Sequence, residues 1–205
     1  MNNEVSFRAG LNHCSPGSCV MRQTTCLPIS ALFCFCCIFS SAADQANSRL
    51  DALFEQLRLS ESPAQIRTTE SEIWSIWLTH PNSDVERLMV LGTEAMNRRQ
   101  FPEALLIFTQ IVENFPEFAE GWNKRATLHY LVGNTEASVS DIERTLALEP
   151  RHFGALSGLG LVYLQQGKLT QAKDAFEKLI AVHPNSPNAQ ENLRLVIEQI
   201  AVNII

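Results

Sequence analysis

Residues 153–186 read FGALSGLGLVYLQQGKLTQAKDAFEKLIAVHPNS. Leu156, Leu159, Gly160 and Tyr163 fall at i, i+3, i+4 and i+7, which places them on one face of a helix. After Gly167 the pattern restarts, with Ala172 and Phe176 one helical turn apart. Pro184 closes the stretch, because proline cannot continue a helix. The segment therefore reads as two amphipathic helices joined by a short turn. Small residues at Gly160 and Ala172 let the two backbones approach, and large ones fill the space beside them.

The same text recurs at a fixed period. Pro116, Pro150 and Pro184 stand at equal intervals along the chain. Aligned on them, large apolar residues open the units at Leu88, Trp122 and Leu156, and small residues follow at Gly92, Ala126 and Gly160. A second small column holds Ala104, Ser138 and Ala172, with Phe108, Ile142 and Phe176 one helical turn on. One helical hairpin cannot bury its apolar face alone, so a periodic array of them implies a stack.

These columns identify residues 85–186 as similar to tetratricopeptide repeats. The third unit fits the family pattern best. The second departs at Arg125 and His129, where the family prefers apolar or aromatic groups, and the first departs at Arg99, where glycine is usual. The resemblance implies an all-α fold, a right-handed α-solenoid of antiparallel helix pairs, with three repeats over residues 82–185. The chain also resembles small exported bacterial proteins of this family.

The flanks supply the expected ends. Leu50, Leu53, Phe54 and Leu57 form one apolar stripe, and Ile73, Trp74, Ile76 and Trp77 form a second. Residues 44–81 are thus predicted to be a degenerate helical pair capping the N-terminal end, turning at Ser60-Glu61-Ser62-Pro63. Ser83-x-x-Glu86 reads as a capping box for the first repeat. Ser186-Pro187 reads as an N-cap followed by proline at the first helical position. The helix after it, over 186–205, is predicted to cover the last apolar face with Leu193, Val196, Ile197 and Ile200.

The first 43 residues have a different composition. All six cysteines lie there, at 14, 19, 26, 34, 36 and 37. Residues 29–39, ISALFCFCCIF, have the length of a signal-peptide apolar core, and Ser40-Ser41-Ala42-Ala43 offers small residues for cleavage. The reading is a signal peptide over 1–43, cut after Ala42 or Ala43, with residues 1–20 an extension upstream of a start at Met21. A periplasmic or secreted chain follows, and an uncleaved inner-membrane anchor is the alternative. Downstream of the cut there is no cysteine and hence no redox chemistry.

Nothing in the remaining sequence assembles a catalytic constellation. His80, His129, His152 and His183 share no metal-ligand spacing and read as turn or solvated residues, with the repeat core beside Tyr130 as the alternative for His129. Gly154-x-x-x-Gly158-x-Gly160 lacks the strand and spacing of a phosphate loop. Glu117/Glu120 and Asp141/Glu143 read as solvated faces. With a net charge of −6 the chain offers no basic surface for nucleic acid. The expected role is a non-catalytic adaptor or scaffold of the bacterial cell envelope, without cofactor or metal, taking a protein or peptide partner. A membrane-anchored assembly factor and a non-catalytic subunit of an enzyme complex are the alternatives.

In the family the first helix of each unit lines a concave groove. Here that implies Met89, Thr93 and Met96, then Asn123, Lys124, Thr127 and Tyr130, then Ser157, Leu161 and Leu164. Methionine and tyrosine suit adaptable peptide binding, and asparagine can pair with a peptide backbone. Some family members clamp a C-terminal carboxylate with Lys, Asn and Arg. Here the matching positions are Met89, Thr93, Lys124, Gly154 and Gly158, so only one cation is on offer. Replacing Asn123 and Lys124 by alanine is expected to weaken partner capture without changing the melting temperature.

Overall fold

The computed structural model describes residues 48–202. The signal, cleavage and start-site readings therefore lie outside the described residues. Among the described residues there are nine α-helices and no strand. They are α1 (Arg49–Leu59), α2 (Pro63–Leu78), α3 (Ser83–Asn97), α4 (Phe101–Asn114), α5 (Ala119–Leu131), α6 (Thr135–Leu148), α7 (Phe153–Gln165), α8 (Leu169–Val182) and α9 (Pro187–Val202). The fold is all-α, a solenoid of three hairpins, α3/α4, α5/α6 and α7/α8, followed by α9.

The turn inside each hairpin uses one backbone device. Arg99, Gly133 and Gly167 occupy the same column of the three repeats and have φ of 60°, 81° and 70°. Glycine enters the left-handed region at no steric cost, whereas a residue with a Cβ is strained there. Arg99 adopts it all the same, because the turn geometry is common to the three hairpins.

The helix crossings are matched in size. A Cβ added to Gly92 would lie 2.7 Å from the Phe108 ring, and one added to Gly160 would overlap the Phe176 ring. Where the second unit has alanine at this column, Ala126, the opposed residue is the slimmer Ile142, and both are buried. Ala104, Ser138 and Ala172 are buried on the facing helices. The Ser138 hydroxyl satisfies itself there by donating to the Ala126 carbonyl at 2.9 Å.

The first cap is made differently from the expectation. Asn82, not Ser83, accepts the backbone N–H of Asp84 at 2.8 Å, and Ser83 is already helical. At the far end Ser186 Oγ accepts from Ala189 N at 3.4 Å, and Pro187 opens the helix. Ala189 and Val196 of α9 are buried, with Leu193 and Ile200 beside them, but Ile197 points outward at 46% exposure.

The larger correction concerns α1 and α2. They do not stack on α3 as a cap. Leu50, Leu53, Phe54, Leu57, Ile66, Ile73 and Trp77 join one apolar cluster with Phe153, Leu156, Phe176, Ala189 and Val196, which belong to α7, α8 and α9. The pair lies along the corners that connect the repeats. Its turn sits at the α8–α9 corner, where Asn185 Nδ2 donates to the Ser60 carbonyl at 2.7 Å. Midway, Arg151 of the α6–α7 corner donates to Asp51 at 2.7 Å and covers the Phe54 ring at 4.4 Å. Beyond α2, the His80 ring meets Phe115 and Phe118 of the α4–α5 corner at 5.3 and 5.0 Å.

The physical reason is which surface is apolar. Successive corners place rings at Phe118, at His152 and Phe153, and at His183, all buried. The leading face of α3 instead carries Arg87 and Glu94, both exposed, around a Leu91 that is 43% exposed. Burying those charges beneath a cap would cost more than the one leucine returns. In the second and third repeats the matching positions Gly121 and Leu128, then Ala155, Leu159 and Val162, are covered by the preceding hairpin.

Candidate functional site

The first helices of the second and third repeats enclose a pocket of about 290 Å³. Asn123, Thr127 and Tyr130 of α5 face Ser157 and Leu161 of α7 across it. Helical spacing explains this grouping, since 123, 127 and 130 fall on one face of α5, and 157 and 161 on one face of α7. Ala126, Ile142 and Val162 form apolar wall, and Gly154 and Gly158 also line it.

Five of the ten expected groove residues are thus brought together. The other five are not part of the pocket. Met89 is 5% exposed and belongs to the apolar core around Val85, Phe108 and Phe118. Met96 packs half-buried against the same core, and Thr93 is half-buried on the same helix. Leu164 packs half-buried against the cluster shared with α1 and α2. Lys124 turns away to an ion pair with Glu120, Nζ to Oε1 at 3.2 Å.

Glu120 is one of the residues that the sequence pattern misplaces. Far from a solvated face, it is fully buried, and so is His152. The Ala155 N–H donates to His152 Nδ1 at 3.1 Å, so the proton of the neutral ring sits on Nε2. That N–H is directed at Glu120 Oε2, 3.0 Å away. Asn123 Nδ2 donates to the same oxygen at 2.9 Å. Burial by itself pushes the Glu120 carboxyl up, but the His152 hydrogen bond, the Lys124 charge and the Asn123 amide outweigh it and hold the group below the usual carboxylate range. Trp77 of α2 stacks on the His152 ring at 4.1 Å and 10°, covering that face of the imidazole.

This arrangement overturns one expectation about function. Asn123 hydrogen-bonds a buried carboxylate and Lys124 ion-pairs with it, so replacing them removes support for Glu120 and is expected to lower stability. A signal for this was present, since Glu120, Asn123 and Lys124 stand at i, i+3 and i+4 on one helix. The partner His152 lies at the start of the next repeat and could not be paired with Glu120 by spacing.

The departures at Arg125 and His129 also have a structural answer. Arg125 grips Asp141 of α6 in a bidentate pair, Nε to Oδ2 at 2.7 Å and Nη2 to Oδ1 at 2.8 Å. Its guanidinium lies 5.0 Å from the Trp122 ring centre. Asp141 is 4% exposed, not a solvated acid, and His129 Nε2 stands 3.8 Å from it. All four histidines lie in turns or at helix ends, His129 in the last turn of α5, yet His80, His152 and His183 are buried, not solvated. Among the described residues no group of three or more His, Cys, Asp and Glu side chains is placed to hold a metal ion, and no helix is long and apolar enough to cross a membrane.

Comparison with known proteins agrees with the geometry. A TPR repeat-containing protein of Rhizobium etli is 34% identical over 163 residues, covering 80% of each chain. The Sgt2 TPR domain from Aspergillus fumigatus superposes with a TM-score of 0.56 at 26% identity, over 59% of this chain and 82% of that one. The first TPR of Spaghetti (RPAP3) bound to the HSP90 peptide SRMEEVD has the same fold, with a TM-score of 0.55 at 22% identity, over 57% and 93% of the two chains. A family model described as tetratricopeptide repeat matches residues 89–137 and 126–189. With three hairpins in register and a relative this similar over most of its length, the chain belongs to the tetratricopeptide repeat family, whose members typically mediate protein–protein interactions.

Proposed function

We propose that this protein is a non-catalytic adaptor that seats a segment of another protein in the pocket between α5 and α7, within a bacterial cell envelope. The observation that carries the reading is the convergence of Asn123, Thr127, Tyr130, Ser157 and Leu161 on one cavity. Two adjacent first helices supply them, which is how a repeat array presents a concave surface to a guest. A peptide-bound neighbour of the same fold supports this mode of use and says nothing of which peptide. The envelope setting rests on the apolar run 29–39 and the small residues after it.

A photo-crosslinking residue at Thr127 tests the site. Partner should be trapped from Thr127, which is exposed on the groove side, and not from Leu106, which is 73% exposed on α4. Trapping from Leu106 alone would move the binding surface elsewhere. Sequencing the N-terminus of the exported protein tests the setting. A start near Asp44 supports cleavage, and retention of residues 26–43 favours the anchored alternative.

A further inference from the structure

The chemistry of the guest can be read from what lines the pocket. Among its lining residues none is charged. The flanking cations are committed elsewhere, Lys124 to Glu120 and Arg125 to Asp141. Asn123 Nδ2 donates to Glu120 Oε2 at 2.9 Å. The Thr127 hydroxyl donates to the Asn123 carbonyl and the Ser138 hydroxyl to that of Ala126, each at 2.9 Å. A carboxylate brought here would lose its hydration and meet no counter-ion. The cavity is otherwise lined by Ala126, Tyr130, Leu131, Ile142, Leu161 and Val162, with Ser157 beside them to pair with a backbone group.

A second observation is independent of charge. Gly158 sits inside α7, where glycine is disfavoured by about 0.5–1 kcal/mol relative to alanine. The fold does not require it. A Cβ there would meet only Ile142 Cδ1, at an ordinary 3.6 Å, and the backbone has no positive φ. Gly92, Gly121, Gly154 and Gly160 each lie under a ring or branched side chain that a Cβ would strike. Gly158 differs in that its missing side chain leaves only the cavity open. The volume is about 290 Å³, whereas an apolar cavity of roughly 150 Å³ already admits a benzene ring.

Building on the concave-face reading, we propose that the pocket accepts one large uncharged side chain, phenylalanine, leucine or methionine, from a partner segment, and rejects acidic residues and free C-terminal carboxylates. Gly158 is the floor that makes room for it.

The test uses the full exported chain and three libraries of short fluorescent peptides of equal length. One has blocked ends and Phe, Leu or Met fixed at the centre. Another has blocked ends and a central Glu. The third has no fixed centre and a free C-terminal carboxylate. The first library should yield binders at least about tenfold tighter than the other two. Gly158→Leu should cut that binding by about tenfold or more with no fall in melting temperature, since a Cβ has room there, the longer side chain occupies the cavity and the helix gains propensity. Preference for the acidic or carboxylate libraries, abolished by Gly158→Leu, would overturn the anchor chemistry and leave the concave site standing. Binding that Gly158→Leu does not alter would overturn the site itself, and no binding from any library would overturn both.

Discussion

The second and third repeats share a backbone and differ in what fills it. Arg125, His129 and Asp141 of the second stand at the columns of Leu159, Tyr163 and Ala175 in the third. In the third, Leu159 and Ala175 are buried in an apolar seam between α7 and α8. In the second, the same seam is held by a bidentate ion pair, 17% and 5% exposed on its two sides, with a histidine beside it. The stack therefore tolerates a charged seam provided that every charge is matched inside the same hairpin. It also shows why a departure from the family pattern need not weaken packing, as long as the partner column departs with it.

The largest effects should come from breaking that match. Arg125→Leu alone leaves Asp141 buried without its partner and should cost about 3–5 kcal/mol in urea unfolding. Arg125→Leu with Asp141→Ala imports the pairing of the third repeat and should recover to within about 1 kcal/mol of the parent or exceed it. If the double variant is no better than the single one, the two seams are not equivalent.

Asn123→Ala should cost about 1.5–3 kcal/mol by stripping a hydrogen bond from the buried Glu120 carboxylate. Its match in the third repeat, Ser157→Ala, has no buried acid to support and should leave the melting temperature nearly unchanged. Equal effects at the two positions would show that the Glu120 network carries no weight.

Gly160→Ala should cost about 1–3 kcal/mol through overlap with the Phe176 ring, despite gaining helix propensity. Adding Phe176→Ile recreates the Ala126–Ile142 pairing of the second repeat and should return much of the loss. Failure of that rescue would mean that the crossings are not interchangeable.

Acid offers a gentler comparison. Burial lowers the proton affinity of His129, a shift that Arg125 reinforces and Asp141 opposes. Below about pH 6.5 the unfolded chain therefore binds a proton that the folded chain refuses, and stability falls as pH drops. His183, lowered by burial, adds to the same slope. Glu120 works in a lower window. Its depressed carboxyl contributes stability above the ordinary carboxylate range and loses it as pH falls through the folded value. His129→Tyr, the residue of the third repeat, should flatten the unfolding free energy between about pH 7 and 5 in part, leaving the share of His183. An unchanged slope would exclude His129 from it.

The smallest effect concerns the first repeat. Arg99→Gly restores the glycine of the other two turns and should stabilise by about 1 kcal/mol, measured as a higher unfolding midpoint. No gain would mean that the turn holds Arg99 without strain.

Much of this was legible because a repeat writes each of its packing rules three times. The period gave the hairpins, the turn positions 99, 133 and 167, and the small and large residues at each crossing. Half of the expected groove residues converge on the pocket because they share helical faces with the core stripe, at a fixed angular offset that spacing alone conveys. The misplaced ones were lost to long-range partners. Met89 is buried among Val85, Phe108 and Phe118, and Lys124 is drawn to a carboxylate whose burial depends on His152 and on Trp77 of a distant helix.

The amino-acid sequence alone determined the local periodicity, and with it helices, hairpins and the stacking of neighbouring hairpins, since these follow from contacts one helical turn or one repeat apart. Only the tertiary structure decided where α1 and α2 settle and which acids are buried. Those outcomes compare the free energies of whole surfaces. The ring-lined corners of the repeats win over the charged leading face of α3, and no spacing along the chain encodes that competition.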